Sequence, residues 1–295
     1  MINDAVEKIA NAVLYEGYML YPYRPSAVKN KQRFNFGVLY PREYCEAQAG
    51  SDNWQMQTEC IALGDGRASL EVKVRFLQMI EQDVFQEGVE REVCLPAANL
   101  SSLEAQPLLQ HFRFAGVQGE AELQTQPFGN SGFKITLIIR NLAGPADAGA
   151  NRGNTLLRSL VSVHSILHIA EGEFVSSIDP PKQFRQAVAE CHNQGAWPVL
   201  AGELGQCDTI LSAPIILYDY PQIAPESAGD LFDGTEIDEI LALRILTLTD
   251  AEKQEVRNGD ERAREILERT ELLPPEHFQK LHGALRGLRA IPEAQ

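Results

Sequence analysis

Between Ser69 and Ile80 the chain alternates with a period of two. Leu70, Val72, Val74 and Phe76 are apolar, and Glu71, Lys73 and Arg75 between them are charged. Such alternation describes an extended strand with one face buried and the other wet. A helix would wrap the same charges around its apolar stripe. The neighbouring runs follow the strand reading. Trp54–Leu63 leads to Gly64-Asp65-Gly66, which supplies the positive φ of a tight turn, so a hairpin is expected there. Val89–Leu95 ends at Pro96. Ala121–Pro127 and Phe133–Leu142 flank Phe128-Gly129-Asn130-Ser131-Gly132, a second turn sequence. Ile135, Leu137, Ile138 and Ile139 form a nearly continuous apolar run, as a central strand does. Tyr15–Tyr23 and Phe34–Tyr40 read as strands, and Leu103–Phe114 fits helix or strand equally.

Residues 142–153 are small and rich in breakers, which marks a loop. Leu156–Ile169 is a long apolar stretch. Asp179-Pro180-Pro181 starts a helix expected to reach His192, and Ile210–Asp219 is the next strand. After Pro221 the pattern turns helical, with Thr235–Leu246 as one helix and a capping box at Thr249-Asp250-Ala251-Glu252 before another. The expected architecture is α+β: a β-rich, mainly antiparallel body over residues 1–222 and a helical C-terminal extension over 223–295.

Charge narrows the function. Twenty-six basic residues face 41 acidic ones, a net charge of −15. Such a chain repels nucleic acid and anionic lipid, so neither is expected as a partner. The apolar runs have strand length, short of the ~20 residues that span a bilayer. Met1–Ala10 has no basic region or cleavage site of a signal peptide, and the five cysteines are scattered. These features point to a reduced, cytoplasmic setting.

No complete catalytic motif is present. The sequence lacks a phosphate-binding loop, a dinucleotide fingerprint and a nucleophile elbow. His164 and His168 lie four apart and share a face on helix or strand, which makes them candidate metal ligands, although core histidines are the commoner outcome. Cys191-His192 offers a thiol beside an imidazole, but only spatial proximity makes such a pair reactive. Asp230-Leu231-Phe232-Asp233-Gly234 lacks the ligand spacing of a calcium loop. No cofactor is implied by any of these.

The most unusual segment is aromatic and basic. From Gly17 to Arg42 there is no acidic residue, while Arg24, Lys29, Lys31, Arg33 and Arg42 are basic. Tyr and Arg are favoured anchors of protein interfaces. Tyr21, Tyr23, Arg24, Lys29, Lys31 and Arg33 are therefore candidate partner-binding residues. The bland reading is a solvated hairpin with its tyrosines on the core.

Four stretches carry a family resemblance: Tyr15–Asn30 (YEGYMLYPYRPSAVKN), Phe34–Pro41 (FNFGVLYP), Leu156–Pro181 and Leu211–Leu248, the last beginning LSAPIILYDYPQIAPES. They resemble an uncharacterised bacterial protein family associated with gene clusters of oxygen-tolerant, high-affinity NiFe-hydrogenases. The resemblance covers most of the chain. It implies an accessory or assembly protein whose partner is a hydrogenase subunit or a maturation factor, and it carries no catalytic residues. Two rival readings stand beside it. One is a metal- or thiol-dependent enzyme using His164, His168 or Cys191. The other is a structural subunit of a larger complex, with the helical tail as its assembly element and a homo-oligomer possible.

Overall fold

A computed structural model describes residues 4–15, 36–47, 52–82, 85–129, 132–144, 152–222 and 249–257, together with Arg264, Leu267, Glu268, Glu271 and Leu272. The chain divides into two compact units, one of residues 1–18 and 33–223, the other of 19–32 and 224–295. The described residues are strand-rich, with few helices.

The first unit is built on β1 (Gln55–Gln82), a single strand of 28 residues. Its two halves have different neighbours on one side and the same neighbour on the other. β5 (Gly132–Asn141) runs antiparallel to Gln55–Leu63, and β2 (Phe85–Asn99) runs antiparallel to Ser69–Gln82. β6 (Val161–Phe174) follows the opposite side of β1, with a register shift between Gly64 and Ser69. The expected hairpin at Gly64-Asp65-Gly66 is thus a bulge within a continuous strand. The reason is that β6 offers partners on both sides of the bulge, and Glu171 takes a φ of +61° opposite it.

β3 (Leu108–Phe114) and β4 (Val117–Phe128) extend the sheet beyond β5. β8 (Thr209–Ala213) and β7 (Trp197–Leu200) extend it beyond β6. The order is β3-β4-β5-β1-β6-β8-β7, with β2 on the second half of β1 and every pair antiparallel. β3, at the end of the β5–β4–β3 branch, meets the β1–β2 half of the sheet: Phe114 lies against Phe76 and under the Arg91 guanidinium, and the core lies on one face of the sheet. Met56, Cys60, Val74, Phe76, Phe112, Leu123, Ile135, Leu137, Val163 and Leu167 lie in it. Phe76 and Phe112 have ring centroids 5.6 Å apart across the fold. The short helix α3 (Leu100–Ala105) plugs it with Leu100 and Leu103, which settles the ambiguous run: helix first, then β3.

Helix α1 (Asp4–Tyr15) covers the outer face of β6, β8 and β7. Val6, Ile9, Ala10 and Val13 recur at helical spacing and pack on Ile166, Val199, Leu211 and Ala213. Tyr15, expected to open a strand, is instead the last residue of this helix, and the rest of that run lies outside the described residues. A second helix, α2 (Arg42–Ala47), follows Pro41, and of Phe34–Tyr40 only Leu39 forms β-bridges among the described residues. Helix α4 (Arg152–Leu156) precedes β6. The helix expected to run from Asp179 to His192 is shorter: a 3-10 turn (Lys182–Phe184) and α5 (Arg185–Ala189), with the Ser176 hydroxyl accepting the Ile178 and Asp179 N–H groups. β8 stops at Ala213 because Pro214 has no N–H to continue the ladder.

In the second unit, Asp250–Arg257 forms α6, as the capping box predicts. Glu271 pairs with Lys253 at 3.0 Å and Arg257 at 2.7 Å, and Leu267 is buried. Apart from Arg264, Leu267, Glu268, Glu271 and Leu272, the rest of the expected helical extension lies outside the described residues. No described helix is long and apolar enough to cross a membrane.

Candidate functional site

Three segments far apart in sequence meet on the β6–β8–β7 flank. Leu39 exchanges backbone hydrogen bonds with Leu160, the Ser162 N–H donates to the Phe36 carbonyl, and the Val163 N–H donates to that of Gly37. Gly37 has a φ of +54°, and a Cβ built on it would lie 2.4 Å from the Cβ of Pro214. Only glycine fits so tight and left-handed a position. At Pro214 and Ile215 the chain bends and then runs on without regular secondary structure. Ile215 and Leu217 turn inward against the α1 layer, while Ile216 and Tyr218 turn out and are 75% and 82% exposed. The stretch is then pinned. One carboxylate oxygen of Asp219 accepts the Ser176 hydroxyl at 2.5 Å and the other accepts the Leu200 N–H at 2.9 Å. The Tyr220 N–H donates to the Leu200 carbonyl at 2.7 Å, and its hydroxyl lies 3.7 Å from the Cys207 thiol. Trp197 at the start of β7 is 45% exposed on the same flank. The result is a set of large outward side chains on a backbone held by hydrogen bonds.

Under α1 the same flank is charged. Lys73, Arg75 and Leu77 stand on the outer face of β1, and Arg75 is buried. Its guanidinium donates to Asn11 Oδ1 at 2.7 Å and lies 3.5 Å from carboxylate oxygens of Glu7 and Glu90. Lys73 reaches Glu7 at 2.7 Å and Glu92 at 3.4 Å. Thus the polar face of α1 docks by ion pairs where its apolar stripe ends.

His164 faces Arg75 across the strand pair and is fully buried. A bulge beside it turns Ser162 to a φ of +55°, so that the Ser162 hydroxyl donates to the Val13 carbonyl at the end of α1. The Ser162 carbonyl lies 2.9 Å from His164 Nδ1. Among the described residues His164 Nε2 has no hydrogen-bond partner. Burial holds the imidazole well below its usual range, at about 4; the Ser162 carbonyl opposes the shift and the Arg75 guanidinium adds to it. His168 lies on the same face, with Nδ1 at 3.2 Å from the Thr209 hydroxyl. Four residues of strand separate the two histidines by about 13 Å, with Ile166 between them under α1. Among the described residues no three His, Cys, Asp or Glu side chains gather as metal ligands.

The Cys191-His192 pair sits at a different place. Buried Glu59 accepts the His192 N–H at 2.7 Å and the Thr136 hydroxyl at 3.2 Å, and lies 3.4 Å from Lys134 Nζ. Gln57 and Gln194 exchange backbone hydrogen bonds alongside. This strap fixes the chain after α5 onto β1. Burial first, and the Glu59 carboxylate second, push the Cys191 thiol up to about 11. Burial likewise raises Cys45 to about 11 and Cys60 further. Nucleophilic thiols are shifted the other way.

The sequence candidates Tyr21, Tyr23, Arg24, Lys29, Lys31 and Arg33 lie outside the described residues. The pinned segment with Ile216 and Tyr218 lies in a stretch that carries the family resemblance, but by residue pattern it reads only as strand and neither side chain stands out as a candidate site residue. Its signal is the alternation of inward Ile215 and Leu217 with outward Ile216 and Tyr218 after a proline. No protein-family model matches the chain, and no curated protein matches it.

Proposed function

We propose that this chain is an accessory or assembly protein that acts in the cytoplasm by binding another protein, a NiFe-hydrogenase subunit or a maturation factor. The observation that carries the reading is the outward pair Ile216 and Tyr218 on a segment pinned by Asp219 and Tyr220. Rigidly presented apolar and aromatic side chains lose little entropy on binding, which is what interface anchors require. Three of the four stretches that carry the family resemblance converge at this place, through Gly37, Val163, Ser176, Pro214 and Asp219. The basic, Tyr-rich segment with Tyr21, Tyr23, Arg24, Lys29, Lys31 and Arg33 adds a second contact surface in this reading. The raised thiols of Cys45, Cys60 and Cys191 favour binding over thiol chemistry.

The test is affinity purification of the tagged chain from its host during hydrogen-oxidising growth, with mass spectrometry of what co-elutes. Recovery of hydrogenase subunits or maturation proteins, lost in an Ile216→Ser/Tyr218→Ser variant, is the expected result. A chain that elutes alone overturns the reading. A complex that survives both that variant and Arg24→Glu/Lys29→Glu overturns the two surfaces while keeping the function.

A further inference from the structure

β2 is an edge strand beside β1, and the two ends of the strand path, β7 and β3, end differently. At β7 the edge is short, contains Pro198, and is closed by the chain itself: the Leu200 N–H and carbonyl are taken by Asp219 and Tyr220. At β3 the edge runs for seven residues without proline, glycine or bulge. The phase of its ladder follows from the two-residue turn Ala115-Gly116. Phe114 and Val117 flank that turn and form a hydrogen-bonded pair, so Leu108, Gln110, Phe112 and Phe114 bond to β4. Leu109, His111 and Arg113 therefore aim their N–H and C=O groups outward. The Leu142 N–H reaching the Gln118 carbonyl from the other side of β4 fits the same phase. Among the described residues no acceptor meets those three N–H groups, and the His111 carbonyl is met by the side-chain amide of Gln110 at 2.8 Å. Leu109 is 48% exposed, and His111 and Arg113 are exposed. An open, regular edge of this kind templates the addition of another strand.

We infer that β3 pairs antiparallel with β3 of a second copy of this chain, about a two-fold axis at His111. His111 is the midpoint of Leu108–Phe114, so one register overlaps both strands along their whole length. It sets His111 against His111 and Leu109 against Arg113, and every outward N–H faces an outward C=O; Gln110 swings off the His111 carbonyl. On the core face the half-buried Leu108 meets the half-buried Phe114 at both ends. On the solvent face the aliphatic stem of Arg113 lies over Leu109, and no carboxylate meets a carboxylate. A single strand pair buries less than the ~1,000 Å² of a stable interface, so the dimer is weak and depends on concentration. Each copy carries −15, so added salt strengthens it by screening.

The test is sedimentation equilibrium of the full-length chain over a wide concentration range, with Leu109→Glu and Leu109→Lys. Both substitutions sit on an exposed position and leave the backbone ladder intact. In the dimer each new side chain faces Arg113 of the other copy. Leu109→Glu then tightens the dimer and Leu109→Lys loosens it, each by roughly two- to tenfold from two cross-strand charge pairs. Net charge alone predicts the opposite order, because Glu makes the copies more negative. Hydrogen exchange should show the Leu109, His111 and Arg113 amides slowing with concentration. A chain that stays monomeric throughout, or a dimer that ignores both substitutions or ranks Lys above Glu, overturns the inference. Protection of those amides only when a different protein is added gives the edge to a foreign strand and overturns it as well.

Discussion

The flank around β6, β8 and β7 and the flank around β3 belong to one sheet and have opposite fates. On the first, α1 covers the face, Asp219 and Tyr220 close the edge, and buried Arg75 ties helix to strand. On the second, β3 has one neighbour among the described strands, and its outward backbone groups face away from β4. The difference teaches that burial, not strand character, decides how much a residue matters here. Both flanks are regular antiparallel strand, and both hold buried polar groups, such as Arg75 on the first and Gln78 bonded to the Ala115 carbonyl on the second, yet at the β7 edge the backbone groups of Leu200 are also taken, while those of Leu109 and Arg113 on β3 face outward.

Substitutions on the closed flank should therefore cost far more than those on the open one. The largest expected loss is at Gly37. Gly37→Ala places a side chain at a left-handed φ and against Pro214, for about 2–5 kcal/mol, read by urea denaturation. A loss under about half a kcal/mol would mean that Pro214 moves aside freely and the closed flank is softer than its packing implies.

His164 sharpens the comparison through pH. Its folded value lies at about 4, below the ordinary 6.5, so the unfolded chain takes up a proton that the folded chain refuses. Stability is then complete above pH 6.5 and falls by about 3 kcal/mol as pH drops from 6.5 to 4. Comparing the pH dependence of unfolding for the native chain and His164→Gln isolates this share. Identical slopes in the two proteins would break the assignment.

Asp219→Ala removes the acceptor of the Leu200 N–H and the Ser176 hydroxyl, for about 2 kcal/mol. Hydrogen exchange should accelerate at Leu200 while the β3 amides stay unchanged. The smallest effect is on the open flank. Leu109→Lys should change the stability of the monomer by less than about 0.5 kcal/mol, since the side chain already meets water. A large loss there would show that β3 is as tightly built into the fold as β7.

Much of this fold is legible along the chain. The alternation of Leu70, Val72, Val74 and Phe76 against Glu71, Lys73 and Arg75 predicts the dry and charged faces of β1, and the core and the ion pairs divide the strand in that way. The turn between Phe128 and Gly132 and the helix at Asp250–Arg257 are also where local chemistry puts them. Other elements depart from the local pattern for a common reason. Gly64-Asp65-Gly66 has the chemistry of a hairpin, but β6 carries the strand across it. Asp4–Tyr15 has an apolar stripe that becomes a docked helix only because β6, β7 and β8 present a matching face. The pinning of Pro214–Tyr220 rests on Asp219 meeting Ser176 and Leu200, residues that no spacing in the sequence links to it.

What the sequence by itself determined is local: which residues face water, where strands and turns are favoured, and the acidity of the whole chain. Those follow from side-chain period, turn chemistry and charge, which act between residues near in sequence or on the chain as a sum. Only the tertiary structure decided that Gly37 lies under Pro214, that His164 is shut beneath α1 opposite Arg75, and that the β7 edge is closed at Leu200 while the backbone groups of Leu109 and Arg113 on β3 face outward. Each of these depends on loss of water at a contact between segments far apart in sequence, and that loss happens only when the segments pack together.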